Sequence, residues 1–100
     1  MYYYFYEGFM EVKLTKKASE HLGFWKKSGN KAIQKKIQLL IEDIMKNPFE
    51  GIGKPEALKY NLQGTWSRKI NEEHRIVYEI PDEGVLLIHS LKGHYTDLDI

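Results

Sequence analysis

The chain has 100 residues, 42% hydrophobic and 29% charged, with a formal net charge of +1, which describes one globular domain over 1–100 and excludes a disordered polymer. A chain this short buries somewhat over ~60% of its unfolded surface, enough for one thin core and not for large internal pockets. No apolar run approaches the ~20 residues that cross a bilayer, and cysteine is absent, which removes disulfides, thiolate nucleophiles and thiolate-ligated metals and fits a reducing compartment.

The first nine residues, MYYYFYEGF, are aromatic, without a basic leader or a long apolar core. A signal peptide has both features, so a cytoplasmic protein is expected. The segment reads either as an extension upstream of Met10 or as an added edge strand or contact surface. From Met10 the pattern gives a short strand, Glu11 to Leu14, with Val12 and Leu14 on one side. Thr15 is placed to cap a helix. Ala18, Leu22 and Trp25 then fall on one apolar face. Ser28-Gly29-Asn30 breaks that helix, and Asn30 caps the next. The second helix runs to about Lys46 with Ile33, Ile37, Leu40, Ile41 and Ile44 on one stripe, and Asn47-Pro48 ends it. A loop rich in glycine and proline follows, PFEGIGKPEAL. Trp66 to Asn71, His74 to Ile80 and Val85 to Leu91 read as strands, the last apolar enough to be central, with a turn at Pro81-Asp82-Glu83-Gly84. The expected class is α+β: a small antiparallel twisted sheet packed against an N-terminal two-helix hairpin, which buries both helix stripes.

The polar residues narrow the chemistry. The histidines at 21, 74, 89 and 94 include no helical i, i+4 pair, so neither a metal nor another cofactor is expected. Gly51-Ile52-Gly53-Lys54 lacks the spacing of a phosphate-binding loop and reads as a turn. Residues 10–95 carry fifteen basic and eleven acidic side chains, because Glu7, Asp97 and Asp99 lie outside that stretch. This mild basic bias is compatible with RNA or with an acidic protein partner. One constellation stands out. Glu56 closes the loop, Arg68 and Lys69 lie on the first meander strand, His74 and Arg75 open the second, and Lys92, His94 and Tyr95 end the third. An antiparallel meander brings strand ends side by side. A base for a ribose 2′-hydroxyl, cations for the phosphoryl oxygens and an acid for the leaving 5′-oxygen are the groups that cleave RNA without a metal. Each residue also has a plain reading alone: Glu56 as a solvated loop residue, Arg75 as a surface charge, His74 as a structural hydrogen-bonding group, His94 as surface.

The segment Asn47-Pro-Phe-Glu-Gly-Ile-Gly-Lys-Pro-Glu-Ala-Leu-Lys59, continuing through Asn61-Leu-Gln-Gly-Thr-Trp-Ser-Arg-Lys-Ile-Asn-Glu-Glu-His-Arg-Ile-Val-Tyr78 and ending in Lys92-Gly93-His94-Tyr95, resembles the YoeB/Txe family of type II toxin–antitoxin toxins in the RelE/ParE superfamily. The likeness spans about residues 10–95, leaving 1–9 as an aromatic extension and 96–100 as an acidic tail. It implies a RelE-like microbial RNase fold and a ribosome-dependent mRNA endonuclease acting in the A site. It also implies a cognate antitoxin of the YefM/Axe kind and no membrane partner; family members are known both as monomers and as dimers. Carried over by position, Glu56 matches the general base and His94 the general acid. Arg75 matches the arginine that stabilises the transition state, and Tyr95 a substrate-positioning tyrosine. Lys59 and Arg68 match positions that hold RNA or ribosomal RNA phosphates. Lys69, His74 and Lys92 complete the expected RNA- and ribosome-binding set, although Lys69 stands where the family commonly has arginine and cannot make its planar two-pronged contact. The tail, with Asp97 and Asp99, extends past the tyrosine where relatives often stop.

Two other functions share this fold: a ParE-like toxin that inhibits DNA gyrase, and an interaction module with an idle site. The gyrase-inhibiting branch lacks the Glu56/Arg75/His94 set, and its action shows as DNA breaks rather than cut messages.

Overall fold

The computed structural model describes residues 3–7 and 10–94. The expectations for Tyr95 and for the tail 96–100 lie outside the described residues. Strand β1 (Tyr3–Glu7) pairs antiparallel with β2 (Met10–Leu14), and helices α1 (Lys16–Ser28) and α2 (Lys31–Lys46) follow. A two-residue strand, β3 (Glu56–Ala57), and a 3-10 turn at Tyr60–Leu62 lead into the meander of β4 (Trp66–Lys69), β5 (Arg75–Glu79) and β6 (Val85–Ser90). The strands form one sheet in the order β1-β2-β6-β5-β4-β3. Among the described residues no helix is long and apolar enough to cross a membrane.

The helix ends follow from side-chain chemistry. The Thr15 hydroxyl accepts from the Ala18 N–H at 3.2 Å, and the Asn30 side chain accepts from the Ile33 N–H at 3.1 Å. Each satisfies an amide that a helix start leaves unpaired. Gly29 stops α1 in the left-handed conformation, and extended Asn47 stops α2 ahead of Pro48. The predicted stripe of Ile33, Ile37, Leu40, Ile41 and Ile44 is buried, together with Ala18 and Trp25. Against it lies one side of the sheet: Val12, Leu14, Ile76, Tyr78, Leu86 and Ile88. Alternation then sends Ser67, Lys69, Arg75, Val77 and Glu79 to the side away from the helices.

The sheet departs from the expectation in one pairing. Strand β6 is central, as its apolar character indicates, but its partner β2 runs parallel to it, with Val12 beside Leu86 and Leu14 beside Ile88. The sheet is therefore mixed. Burial alternates along both members of this parallel pair, so one side of each faces the core. Strand β4 stops at Lys69 rather than Asn71, because the Asn71 side chain accepts from the Glu73 and His74 amides and turns the chain.

The loop expected between α2 and β4 is partly ordered as sheet. Gly53 O accepts from the Lys69 N–H at 2.6 Å, Glu56 pairs with Ser67, and the Leu58 N–H reaches Thr65 O at 3.0 Å. On the far side of the sheet Leu58, Leu62 and Val77 form a small second cluster that holds this run down. The two loop glycines are needed by packing. A Cβ on Gly51 would run into the Asp43 carboxylate, and one on Gly53 would lie 2.8 Å from Leu40 Cδ2 and 3.1 Å from Lys69 O. Both have positive φ, 128° and 80°. Gly53→Ala is therefore expected to destabilise the protein by more than ~1 kcal/mol, because the new methyl meets backbone and core in a conformation L-residues avoid. Chemical denaturation of the variant beside wild type measures it.

Candidate active site

The first cation of the meander is not at the surface. Arg68 is 0% exposed, and all five of its N–H donors are engaged. Nε donates to the Tyr78 hydroxyl at 3.2 Å. One terminal nitrogen donates to Asp43 Oδ2 at 2.6 Å and to Ile52 O at 3.2 Å. The other donates to Asn47 O at 2.6 Å and Glu50 O at 2.9 Å. The Tyr78 hydroxyl in turn donates to Pro48 O at 2.6 Å, and Asp43 also accepts from the Ile52 N–H. Expected as an RNA-binding group, Arg68 is instead a structural one. Its register opposite Ile76 turns it to the helix side, and no donor is left for a phosphate. Hydrogen bonding from Arg68 holds the Asp43 carboxyl below its ordinary range, and burial pushes the Tyr78 phenol up.

His74 makes a structural contact through one of its two ring nitrogens. Its ring is 13% exposed, stands edge-on to Trp25 with centroids 4.8 Å apart, and accepts the Gly93 N–H on Nδ1 at 2.9 Å. Nδ1 is thereby committed to the protein. Lys92 leans over the Phe24 ring of α1, with Nζ 4.7 Å from the centroid.

Glu56, Lys69 and Arg75 fall on the other side of the sheet. Glu56 pairs with Ser67, Ser67 with Val77, and Lys69 with Arg75. Glu56, Ser67, Lys69 and Arg75 therefore share the side away from the helices. Strand spacing puts the Glu56 and Arg75 Cα atoms about 12 Å apart, across β4 and two residues along β5. Two extended side chains can bracket a phosphodiester over that span. Lys69 Nζ sits 3.3 Å from the Glu72 carboxylate, and Lys59 is exposed beyond the end of β3. His94 follows Gly93, whose carbonyl accepts from the Arg75 N–H at 3.0 Å, so the histidine leaves the sheet beside Arg75.

The family model described as the YoeB-like toxin of bacterial type II toxin–antitoxin systems matches residues 14–95. The chain belongs to this family. It is 49% identical over 86 residues to the toxin YoeB of Synechocystis sp., covering 86% of this chain and 98% of the relative. It is 53% identical over 72 residues to Escherichia coli toxin YoeB, covering 72% and 83%. Among solved structures, a YoeB dimer from Staphylococcus aureus superposes with a TM-score of 0.80 at 40% identity, over 88% of this chain and all of that one. A YoeB–YefM complex from the same organism gives 0.77 at 42%, over 86% and 98%. Escherichia coli YafQ, at 13% identity and a TM-score of 0.71, covers 90% of this chain and 99% of its own and shares the fold.

Sequence patterning did not reveal Asp43 or Tyr78 as members of a network with Arg68. The available signal was alternation: Arg68 and Ile76 fall on the helix side, and Asp43 lies one turn before the end of α2. Arg68→Met is expected to cost about 3–5 kcal/mol, because it leaves Asp43 and three loop carbonyls without their donor. Since the folded Asp43 pKa is depressed, its contribution is complete above the ordinary carboxylate value near ~3.9 and is lost as pH falls through the lower folded value. Urea titrations from neutral to acid pH check both. Asp43→Asn should flatten the acid limb, whereas an unchanged limb would exclude Asp43 as its source.

Proposed function

We propose that this family member is a ribosome-dependent mRNA endonuclease that cuts the message held in the A site. The observation that carries the reading is the shared side of the sheet on which register puts Glu56 and Arg75, with His94 leaving the sheet beside Arg75. Glu56 takes the proton from a ribose 2′-hydroxyl. The 2′-oxygen attacks phosphorus, Arg75 stabilises the charge on the non-bridging oxygens, and His94 delivers a proton to the departing 5′-oxygen. The products are a 2′,3′-cyclic phosphate and a 5′-hydroxyl, and DNA is inert for lack of the nucleophile. Tyr95 positions the substrate, and Lys59 and Lys69 hold backbone phosphates. The cognate partner is an antitoxin of the YefM kind, as in the Staphylococcus aureus complexes, and a homodimer, as in the YoeB dimer, is a further assembly of this chain.

Glu56→Ala and His94→Ala are each expected to lower cleavage of ribosome-bound message about 10²–10⁴-fold with the fold retained. Arg75→Ala should lose about 10²–10³-fold, and Arg75→Lys should not restore it, since an ammonium cannot span two phosphoryl oxygens. Mapping 5′ ends of cellular mRNA after induction reads the cuts directly. DNA breaks with intact messages would instead indicate gyrase inhibition.

A further inference from the structure

We propose that His21 and His74 are positioning residues, a pair of imidazole acceptors that fix residues 91–93 and thereby set where His94 stands; this rests on the nuclease reading above. Strand β6 ends at Ser90, so the backbone groups beyond it lose their ladder partners and must find others. They find them on rings. The Leu91 N–H donates to His21 Nδ1 at 3.1 Å, and the Gly93 N–H donates to His74 Nδ1 at 2.9 Å. Leu91 O accepts from Trp25 Nε1 at 2.8 Å, in the interior. Gly93 O accepts from the Arg75 N–H, and Lys92 O accepts from the Ser90 hydroxyl at 3.1 Å. The residue before His94 is thus held from both sides, by a histidine side chain and by the amide of the proposed transition-state arginine.

The frame is built from two elements. His21 and Trp25 are one turn apart on α1 and share a face, while His74 enters from the turn before β5 and stacks edge-on against Trp25. A peptide N–H can only donate, so both Nδ1 atoms must be bare and both protons must sit on Nε2. Two facts support that state, and the Ser90 hydroxyl, 3.4 Å from His21 Nδ1, gives its proton to Lys92 O and so does not compete with the Leu91 N–H for that nitrogen. His74 Nε2 faces the Glu73 carboxylate at 3.9 Å. Burial, with Lys92, Lys17 and His74 adding to it and Glu20 opposing, lowers the His21 pKa and favours the neutral ring.

Asparagine tests this, because its Oδ1 occupies the place of Nδ1, whereas leucine fills the space and accepts nothing. In ribosome-bound message cleavage, H74L and H21L are expected to lose about 10- to 100-fold in kcat with KM within about threefold, and H74N and H21N to stay within about threefold of wild type. Amide exchange at Leu91 and Gly93 should quicken in the leucine variants and recover in the asparagine ones. Nitrogen-15 spectra of wild type should show the Nε2–H tautomer for both rings. Full activity and protected amides in the leucine variants, or an Nδ1–H tautomer in either ring, would overturn the proposal while leaving the nuclease reading standing. If wild type cuts no better than H94A, the nuclease reading fails. The exchange and tautomer data then decide the positioning claim alone.

Discussion

A single guanidinium organises the part of the molecule that carries the proposed base. The five hydrogen bonds of Arg68 reach Asp43 near the end of α2, Tyr78 on β5, and the carbonyls of Asn47, Glu50 and Ile52. Those carbonyls belong to a loop with almost no apolar content to bury, with Phe49 and Ile52 exposed. Hydrophobic packing alone would leave such a loop loose, and its carbonyls would need water. A buried cation with five directed donors replaces the water and gives the loop one path. Burying a charge is costly unless it is paired and its hydrogen bonds are complete. Here Asp43 supplies the counter-charge and the backbone supplies the remaining acceptors. The loop glycines let the chain come close enough for those bonds to form.

The same network divides the labour of the two sheet faces. Neighbours in a strand point to opposite sides, so Arg68 and Lys69, adjacent and both basic, have different fates. Arg68 enters the interior and fixes the run that ends in Glu56. Lys69 points to the open side, where it meets Glu72 and lies across from Arg75. Strand β3, though only two residues long, transmits this order, because Glu56 is tied in register to Ser67 directly beside Arg68.

What sequence patterning could show followed from periodicity. The α2 stripe, the caps at Thr15 and Asn30, and the central position of β6 all come from local spacing. The parallel β2–β6 pairing did not, because strand direction depends on where the chain returns after the helices. The roles of the basic residues were legible only in part. Composition groups Arg68, Lys69, His74 and Lys92 as one positive set, but a charge count carries no information on burial. Arg68 turns inward by its register, His74 accepts a backbone amide, and Lys92 covers an aromatic ring. The proposed set of Glu56, Arg75 and His94 owes its assignment to the family motif, since spacing alone leaves each with an ordinary surface reading.

The thinness of the domain bears on how such a set could work. Among the described residues the helices cover one side of the sheet, and the other carries only the small cluster of Leu58, Leu62 and Val77 beside the exposed Glu56. The apolar groove of about 350 Å³ lies on the helix side, between α1, α2 and Leu91, away from Glu56. Charges on an open face act through water, where their attraction for a developing phosphoryl charge is weak. Acid–base groups gain strength when a second wall excludes that water and fixes the substrate. Under the proposed reading the protein supplies one wall with its reactive groups, and the decoding site supplies the other together with the aligned message. On that proposal, dependence on the ribosome follows from the need for a second wall to exclude water and align the message.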